Sequence, residues 1–505
     1  MNILLIYPET PVTFWSYTYA IRFVDKKAVT PPLGLLTVAA MLPAAWNKRL
    51  IDLNITELPE SDIQWADLVL ISGMTIQRKS AYKVIDRCKA AGKTIVAGGP
   101  LFTAEYALFP QVDHFVLNEA ELTLPPFLAD LARGDAKRVY RTREYADLSL
   151  TPAPLWELAD LKQYISMGIQ FSRGCPFNCE FCNITSLLGR KTRTKTAAQI
   201  GAELENLYQA GWRESVFFVD DNLIGDRRAA REELLPELMK WQQKRGPMEF
   251  NTQVSINLAD EKSLVEKMVQ AGFNMVFVGI ETPDAESLAG CKKFQNQNRD
   301  LIRDIQFLQQ SGLEVQAGFI LGFDQDTPDI FERMVNFIQQ SKIVTAMVGL
   351  LQSIPGSSLH NRLRAEGRLL DLPTGDNADG TTNILPRMGL DRLFEGYKFV
   401  LEQIYSPALY YRRIRGFLAA YQPSSIRTPV TFSDVKGLLR SFYHLGVVGR
   451  ERLHYWRLLA WMLFCKRKVF ATGIRLALSG YHYRRIFHQM IIAPPKIKRD
   501  LPQMV

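Results

Sequence analysis

Three cysteines fall at C-x3-C-x2-C spacing in Cys175-Pro176-Phe177-Asn178-Cys179-Glu180-Phe181-Cys182. Thiolates so spaced can each take one iron of a [4Fe–4S] cluster and leave the fourth iron open to a small ligand. Zinc is a rival, but structural zinc takes four nitrogen or sulfur ligands, and no His or further Cys lies nearby. A chance grouping of buried thiols is the third alternative. Six cysteines in 505 residues are no disulfide framework, and Cys88, Cys291 and Cys465 stand alone.

The elements around this motif set where it must lie. An apolar run over 168–172 ends immediately before it and predicts a strand. Further strands are expected over 216–219, 250–254, 275–280, 315–321 and 346–352. Amphipathic helices lie between them, over 197–210, 231–244, 261–271, 298–310 and 329–341. Six strands with regular crossovers fit a complete or partial α/β barrel, whose reactive groups belong at the strand C-terminal ends. Those ends carry Asp220-Asp221-Asn222, Ser255-Ile256-Asn257, Glu281-Thr282 and Gly318 through Gly322.

Residues 1–140 form an earlier α/β series, with strands expected over 3–7, 49–53, 68–72, 94–97 and 114–117. Helices are expected over 33–42, 80–91 and, briefly, 126–132. Ligands of such open parallel sheets bind beyond the strand C-terminal ends. Here those ends bear Asn54, Ser72, Gly98, Gly99 and Asn118-Glu119. A G-x-G-x-x-G dinucleotide fingerprint is missing. Residues 141–160, with Thr151-Pro152-Ala153-Pro154, read as an extended linker, 161–395 as the barrel, and 396–505 as a basic helical domain.

The Cys motif on the loop after a barrel's first strand resembles the radical S-adenosylmethionine (SAM) superfamily. The resemblance implies that Cys175, Cys179 and Cys182 hold a [4Fe–4S] cluster whose open iron chelates SAM and cleaves it to a deoxyadenosyl radical. By the same resemblance Phe181 packs the adenine. Asp220, Ser255, Asn257, Glu281 and Gly318 surround the rest of SAM. An α/β domain ahead of such a barrel, with Tyr7-Pro8, Pro31-Pro32-Leu33-Gly34-Leu35 and Gly98-Gly99-Pro100, resembles the cobalamin-binding subclass. That implies a Rossmann-like cobalamin domain. Gly34, Gly98 and Gly99 would admit the corrinoid closely, with Asn54 and Ser72 on the same strand ends. The D-x-H-x-x-G motif of methionine-synthase-like domains is absent, so His114 reads as structural. Tyr7 through Pro11, Phe14-Trp15 and Asn118-Glu119-Ala120-Glu121 are similar to the subgroup that includes hopanoid C-2 methylases. The implied activity is C-methylation of an unactivated carbon, with a lipid as substrate. Flavodoxin or ferredoxin would be the electron donor. Tetrapyrrole methylation or ring closure, and RNA modification, stand as alternatives.

The charge is uneven. Lys and Arg number 61 against 52 Asp and Glu, a net +9, yet residues 406–505 hold 18 basic and 3 acidic side chains. The composition is that of a core-forming chain, neither fibrous nor mainly disordered. Basic helices with Trp, Tyr and Leu opposite can lie in a membrane interface, bind RNA, or merely cap the barrel. The first residues are no signal peptide and no segment reaches a membrane-spanning run. A cytoplasmic enzyme, peripheral on the inner membrane face, is expected.

Overall fold

The computed structural model describes residues 1–424, 426, 428 and 430–492, with 490–492 as backbone alone. The final stretch of the predicted basic domain, 493–505, lies outside the described residues. Two six-stranded parallel sheets organise the rest.

The first sheet contains β1 (Asn2–Tyr7), β2 (Asn47–Asp52), β3 (Leu68–Ser72), β4 (Thr94–Gly98), β5 (His114–Val116) and β6 (Val139–Tyr140). Its order is β2-β1-β3-β4-β5-β6, a doubly wound arrangement with a switch point beside β1. Ile3 through Ile6 are fully buried, as expected of a strand covered on both faces by crossover helices. Helix α1 (Leu33–Met41) covers one face and α2 (Ala120–Arg133) packs beside it. The sequence predicts only a short helix over 126–132, with its proline in the first turn. Instead α2 runs through Pro125 and Pro126. Burial of Leu124 and Phe127 on the sheet offsets the lost hydrogen bonds.

The second sheet contains β7 (Met167–Ile169), β10 (Val216–Phe218), β11 (Phe250–Val254), β12 (Phe273–Glu281), β13 (Glu314–Leu321) and β14 (Ala346–Leu350). They pair in sequence order, and β7 and β14 do not meet, so the barrel is partial. The strand expected over 168–172 is shorter than predicted. After Ile169 the chain breaks away and makes a two-residue antiparallel pair, β8 (Ser172–Arg173) with β9 (Arg193–Thr194). That pair closes the base of the cysteine loop. The expected linker is less passive than its prolines suggest, since Trp156 is buried in the barrel's core.

Beyond the barrel come α3 (Leu390–Ile404), α4 (Pro407–Ala420), α5 (Phe432–Tyr443), α6 (Arg452–Cys465) and α7 (Phe470–Ile492). Ser406 and Thr431 cap α4 and α5 through their side chains. One apolar core runs unbroken from the barrel helices into these. Much of the basic stretch is therefore a cap on the barrel. Arg413 is buried and donates to the Ile404 carbonyl at 2.7 Å. Phe14 stacks on Tyr483 at 4.2 Å between ring centroids. No helix among the described residues is long and apolar enough to cross a membrane.

Candidate active site

The C-terminal edges of the two sheets face each other, and ion pairs hold them there. Glu119, just past β5, accepts from Arg193 at 2.9 Å and from Arg173 at 3.3 Å. Arg173 also pairs with Glu121 at 2.8 Å. All four groups are largely buried. Burial disfavours the charge of Glu121, but Arg173 holds its carboxyl below the usual carboxylate range. A second bridge is made by the loop after β14. Gly375 lies against Thr75 and Ile76 beyond β3, while the Asn377 carbonyl packs on Gly349 of β14.

Between these bridges stands the cysteine loop. Gly174 takes φ +93°, and a Cβ there would lie 2.6 Å from the Lys191 carbonyl, so only glycine fits this turn. Glu180 is pinned from outside, accepting from Arg362 at 2.7 Å. Cys175, Cys179 and Cys182 are partly buried. Burial pushes the thiol of Cys182 up to about 12 and raises that of Cys175. Thiols so placed ionise when a metal takes the proton's place. Among the described residues no three Cys, His, Asp or Glu side chains converge on one point as a single ion would require. A [4Fe–4S] cluster asks for one thiolate per iron, and this loop offers three free, partly buried cysteines.

Lys293 supplies the positive charge beside them, though the sequence candidates do not include it. Its ammonium pairs with Glu281 at 2.7 Å and lies 5.8 Å from the centre of the Phe181 ring. Burial opposes its charge, but Glu281 and the sulfurs of Cys179 and Cys182 hold it above the usual lysine range. Gln295 donates toward the Cys179 sulfur at 3.6 Å. The side-chain oxygens of Gln295 and Asn296 are buried without partners, so this loop has acceptors to offer a ligand. The signal for Lys293 was hidden because the fold, not the spacing, brings the loop after β12 to the cysteines.

The predicted contacts divide into free and engaged groups. Phe181 lies 6.1 Å from Phe323 in an apolar cluster with Ile320. Glu281 takes φ +66° at the irregular end of β12, and a Cβ on Gly279 would collide with its pair to Lys293. Ser255 donates to Asn257 at 2.6 Å and its backbone N–H to Asn222 at 3.1 Å. Asp220 is fully buried, and its carboxylate accepts from Phe171 N–H at 3.1 Å, Ser172 Oγ at 2.5 Å and Ser172 N–H. Burial pushes that carboxyl up to about 7 against these hydrogen bonds. It holds the turn from β7 into the cysteine loop, while Asp221 beside it is the carboxylate whose charge reaches Cys175. Gly318 makes room for the Phe277 ring, 2.9 Å from where a Cβ would stand.

At the facing edge, a Cβ on Gly98 would lie 2.6 Å from the Val116 carbonyl, and one on Gly99, at φ +84°, would strike Ser72. Gly34 has open space about it, and Met74 is exposed at the end of β3. Asn54 is engaged instead, donating to Asp52 at 2.6 Å and accepting from Thr10 N–H at 2.8 Å. His114 begins β5 at the opposite edge and meets the Lys137 carbonyl at 2.7 Å. The facing edge thus offers glycine backbone and an apolar methionine, a surface suited to a large flat ligand.

Comparisons with known proteins agree with this geometry. The family model described as B12 binding domain matches residues 22–128, the Radical SAM superfamily model matches 169–338, and a domain of unknown function matches 357–493. An uncharacterized methyltransferase of Synechocystis sp. is 41% identical over 97% of this chain and 93% of its own length. The hopanoid C-2 methylase of Rhodopseudomonas palustris is 33% identical over 90% of this chain and 88% of its own. A bacteriochlorophyllide d C-12(1)-methyltransferase of Chlorobaculum tepidum is 25% identical over 78% and 86% respectively. Among solved structures, the radical SAM methyltransferase TsrM from Kitasatospora setae shares the fold. Its TM-score is 0.63 at 13% identity, over 97% of this chain and 99% of that one. Matched along nearly its whole length, the chain belongs to the cobalamin-dependent radical SAM methyltransferases, whose cofactors are a [4Fe–4S] cluster, SAM and cobalamin.

Proposed function

We propose that this methyltransferase acts on an unactivated carbon of a polycyclic lipid of the hopanoid kind. The observation that carries the reading is the similarity to the hopanoid C-2 methylase, which extends over more of the chain than the similarity to the bacteriochlorophyllide enzyme. The apolar groups at the mouth support it. Met74 and Phe294 are exposed at the two facing edges, and Phe181, Ile320 and Phe323 form an apolar wall beside the cysteines. When bound, the cofactors supply a hydrogen-abstracting radical and a methyl donor, and the protein supplies position.

In this reading Cys175, Cys179 and Cys182 hold the cluster. Phe181, Ser255, Asn257 and Glu281 line the SAM side, with Gly318 giving space behind it. Asp220 acts at one remove, by fixing Phe171 and Ser172. Ser72, Gly34, Gly98 and Gly99 form the corrinoid side, and Asn54 shapes the loop beyond β2. Domain limits at 140, 160 and 395 belong to the same proposal, as does a flavodoxin or ferredoxin as reductant. Contact with the inner membrane face would bring the mouth to a lipid.

The test is anaerobic turnover of the reconstituted holoenzyme with a pentacyclic triterpenoid. A product heavier by one methylene, formed with S-adenosylhomocysteine and 5′-deoxyadenosine, is expected. Methylation of a chlorophyll-type tetrapyrrole and not of the lipid would replace this reading with the second one, which the bacteriochlorophyllide relatives favour.

A further inference from the structure

The inner faces of α5 and α6 are spent on the cap. Gly437 of α5 lies against Val24, and Arg440 donates to the carbonyls of Arg22 and Phe23 at 3.0 Å. On α6, Tyr455, Leu458, Leu459 and Met462 are buried. The outer faces are different. Phe432, Val435, Leu439 and Tyr443 recur at helical spacing along α5, with Phe432 75% and Leu439 61% exposed. Leu453, Trp456, Leu463 and Phe464 do the same on α6, with Leu453 66% and Phe464 84% exposed. Val447 and Val448, exposed in the turn between, join the rows, and Phe442 stacks on Trp456 at 5.7 Å to hold the helices side by side. An exposed apolar surface of this extent marks a contact.

Its border is basic. Arg450, Arg452, Arg457, Lys466, Arg467 and Lys468 make no ion pair among the described residues. The two acids between 430 and 469 are occupied, Asp434 in the Thr431 cap and Glu451 buried against Arg484.

We propose that the outer faces of α5 and α6 dock this enzyme on a lipid bilayer bearing anionic headgroups, with Leu439, Leu453 and Phe464 entering the interface. Charge selects this occupant. Unpaired cations around an apolar centre match headgroups at the rim and acyl chains at the middle. Exposed Trp456 and Tyr443 suit the boundary between them. A second copy of the chain fits poorly, because a two-fold contact would set the same cations against each other. Nucleic acid would meet the cations but offers nothing to Phe464 or Leu439. The proposal deepens the lipid-substrate reading, but docking itself does not depend on turnover.

Sedimentation of the full chain with phosphatidylcholine vesicles, with and without phosphatidylglycerol, tests it. The wild type is expected to pellet with the anionic vesicles and to be released by salt. Leu453→Glu with Phe464→Glu should weaken partitioning by more than about tenfold. Arg452→Gln, Arg457→Gln and Lys468→Gln should each weaken it by about fivefold on anionic vesicles only. Melting temperature and SAM cleavage should match the wild type in every variant. Failure to pellet, or pelleting that ignores both sets of changes, overturns the proposal. So does a vesicle-free dimer abolished by Phe464→Glu, which would make the surface a self-contact. Vesicle binding without lipid methylation would leave docking standing and remove the substrate reading.

Discussion

Asp220 matters through the backbone it holds. Both of its oxygens are engaged by Phe171 and Ser172, four and three residues before Cys175. Asp220→Asn puts an N–H donor where an acceptor is needed, so at least one buried backbone donor loses its partner. A loss of about 1–3 kcal/mol in unfolding free energy is expected, together with fewer irons retained per chain. Denaturant melts and iron analysis check both. Gly99→Ala tests the opposite edge, where φ +84° and the nearness of Ser72 leave no room for a methyl group. It should lower corrinoid retention, read from the visible spectrum of the reconstituted protein, while iron content stays unchanged. The cysteine triad was legible because its chemistry lies within eight consecutive residues. The direction Asp220 faces was not, because its partners lie 48 and 49 residues away. Lys293 was hidden for the same reason, being brought to Cys179 by the return of β12.

At the scale of elements, the strands were legible and their connections to one another were not. Apolar runs such as Ile3 through Ile6 mark a strand wherever they fall, since both sheet faces must be covered. Nothing local says that the first barrel strand stops at Ile169 and that β8 and β9 then clamp the cysteine loop. The clamp is where the two sheets are tied. Arg173 and Arg193 pair across the clamp in register, and both reach Glu119 of the other sheet's edge. Removing one carboxylate leaves two buried guanidinium groups short of charge, the costly way to break a buried pair. Glu119→Gln should therefore destabilise the chain by about 3 kcal/mol. It should also raise the 5′-deoxyadenosine formed per methyl transferred, because the two sheet edges are no longer held in register. A variant that melts early with an unchanged product ratio would leave Glu119 a purely structural tie.

At the scale of the whole molecule, the basic tail was legible as a charge excess but not as two layers. Arg475 pairs with Glu314, Arg484 pairs with Glu451, and Arg413 is buried, so part of the excess is internal. The internal layer joins the chain's two ends. His482 of α7 accepts from Tyr19 N–H through Nδ1 at 3.3 Å, and its Nε2–H donates to the Thr13 carbonyl at 3.1 Å. The ring is fully buried, and burial pushes its pKa down from 6.5 to about 4. Above pH 6.5 it is neutral whether the chain is folded or not, and the contact stands at full strength. As pH falls below 6.5 the unfolded chain takes up the proton first, so stability is lost until the folded ring also protonates near 4. The loss from this one group should reach about 2 kcal/mol by pH 5. His482→Gln keeps a donor for the Thr13 carbonyl but has no proton to gain. Melts taken between pH 7 and pH 5 should therefore fall less steeply for this variant than for the wild type. Protection of the Tyr19 amide against hydrogen exchange, taken relative to the intrinsic rate at each pH, should fall on acidification only in the wild type. Parallel slopes in the two proteins would place the acid sensitivity elsewhere and reduce His482 to packing.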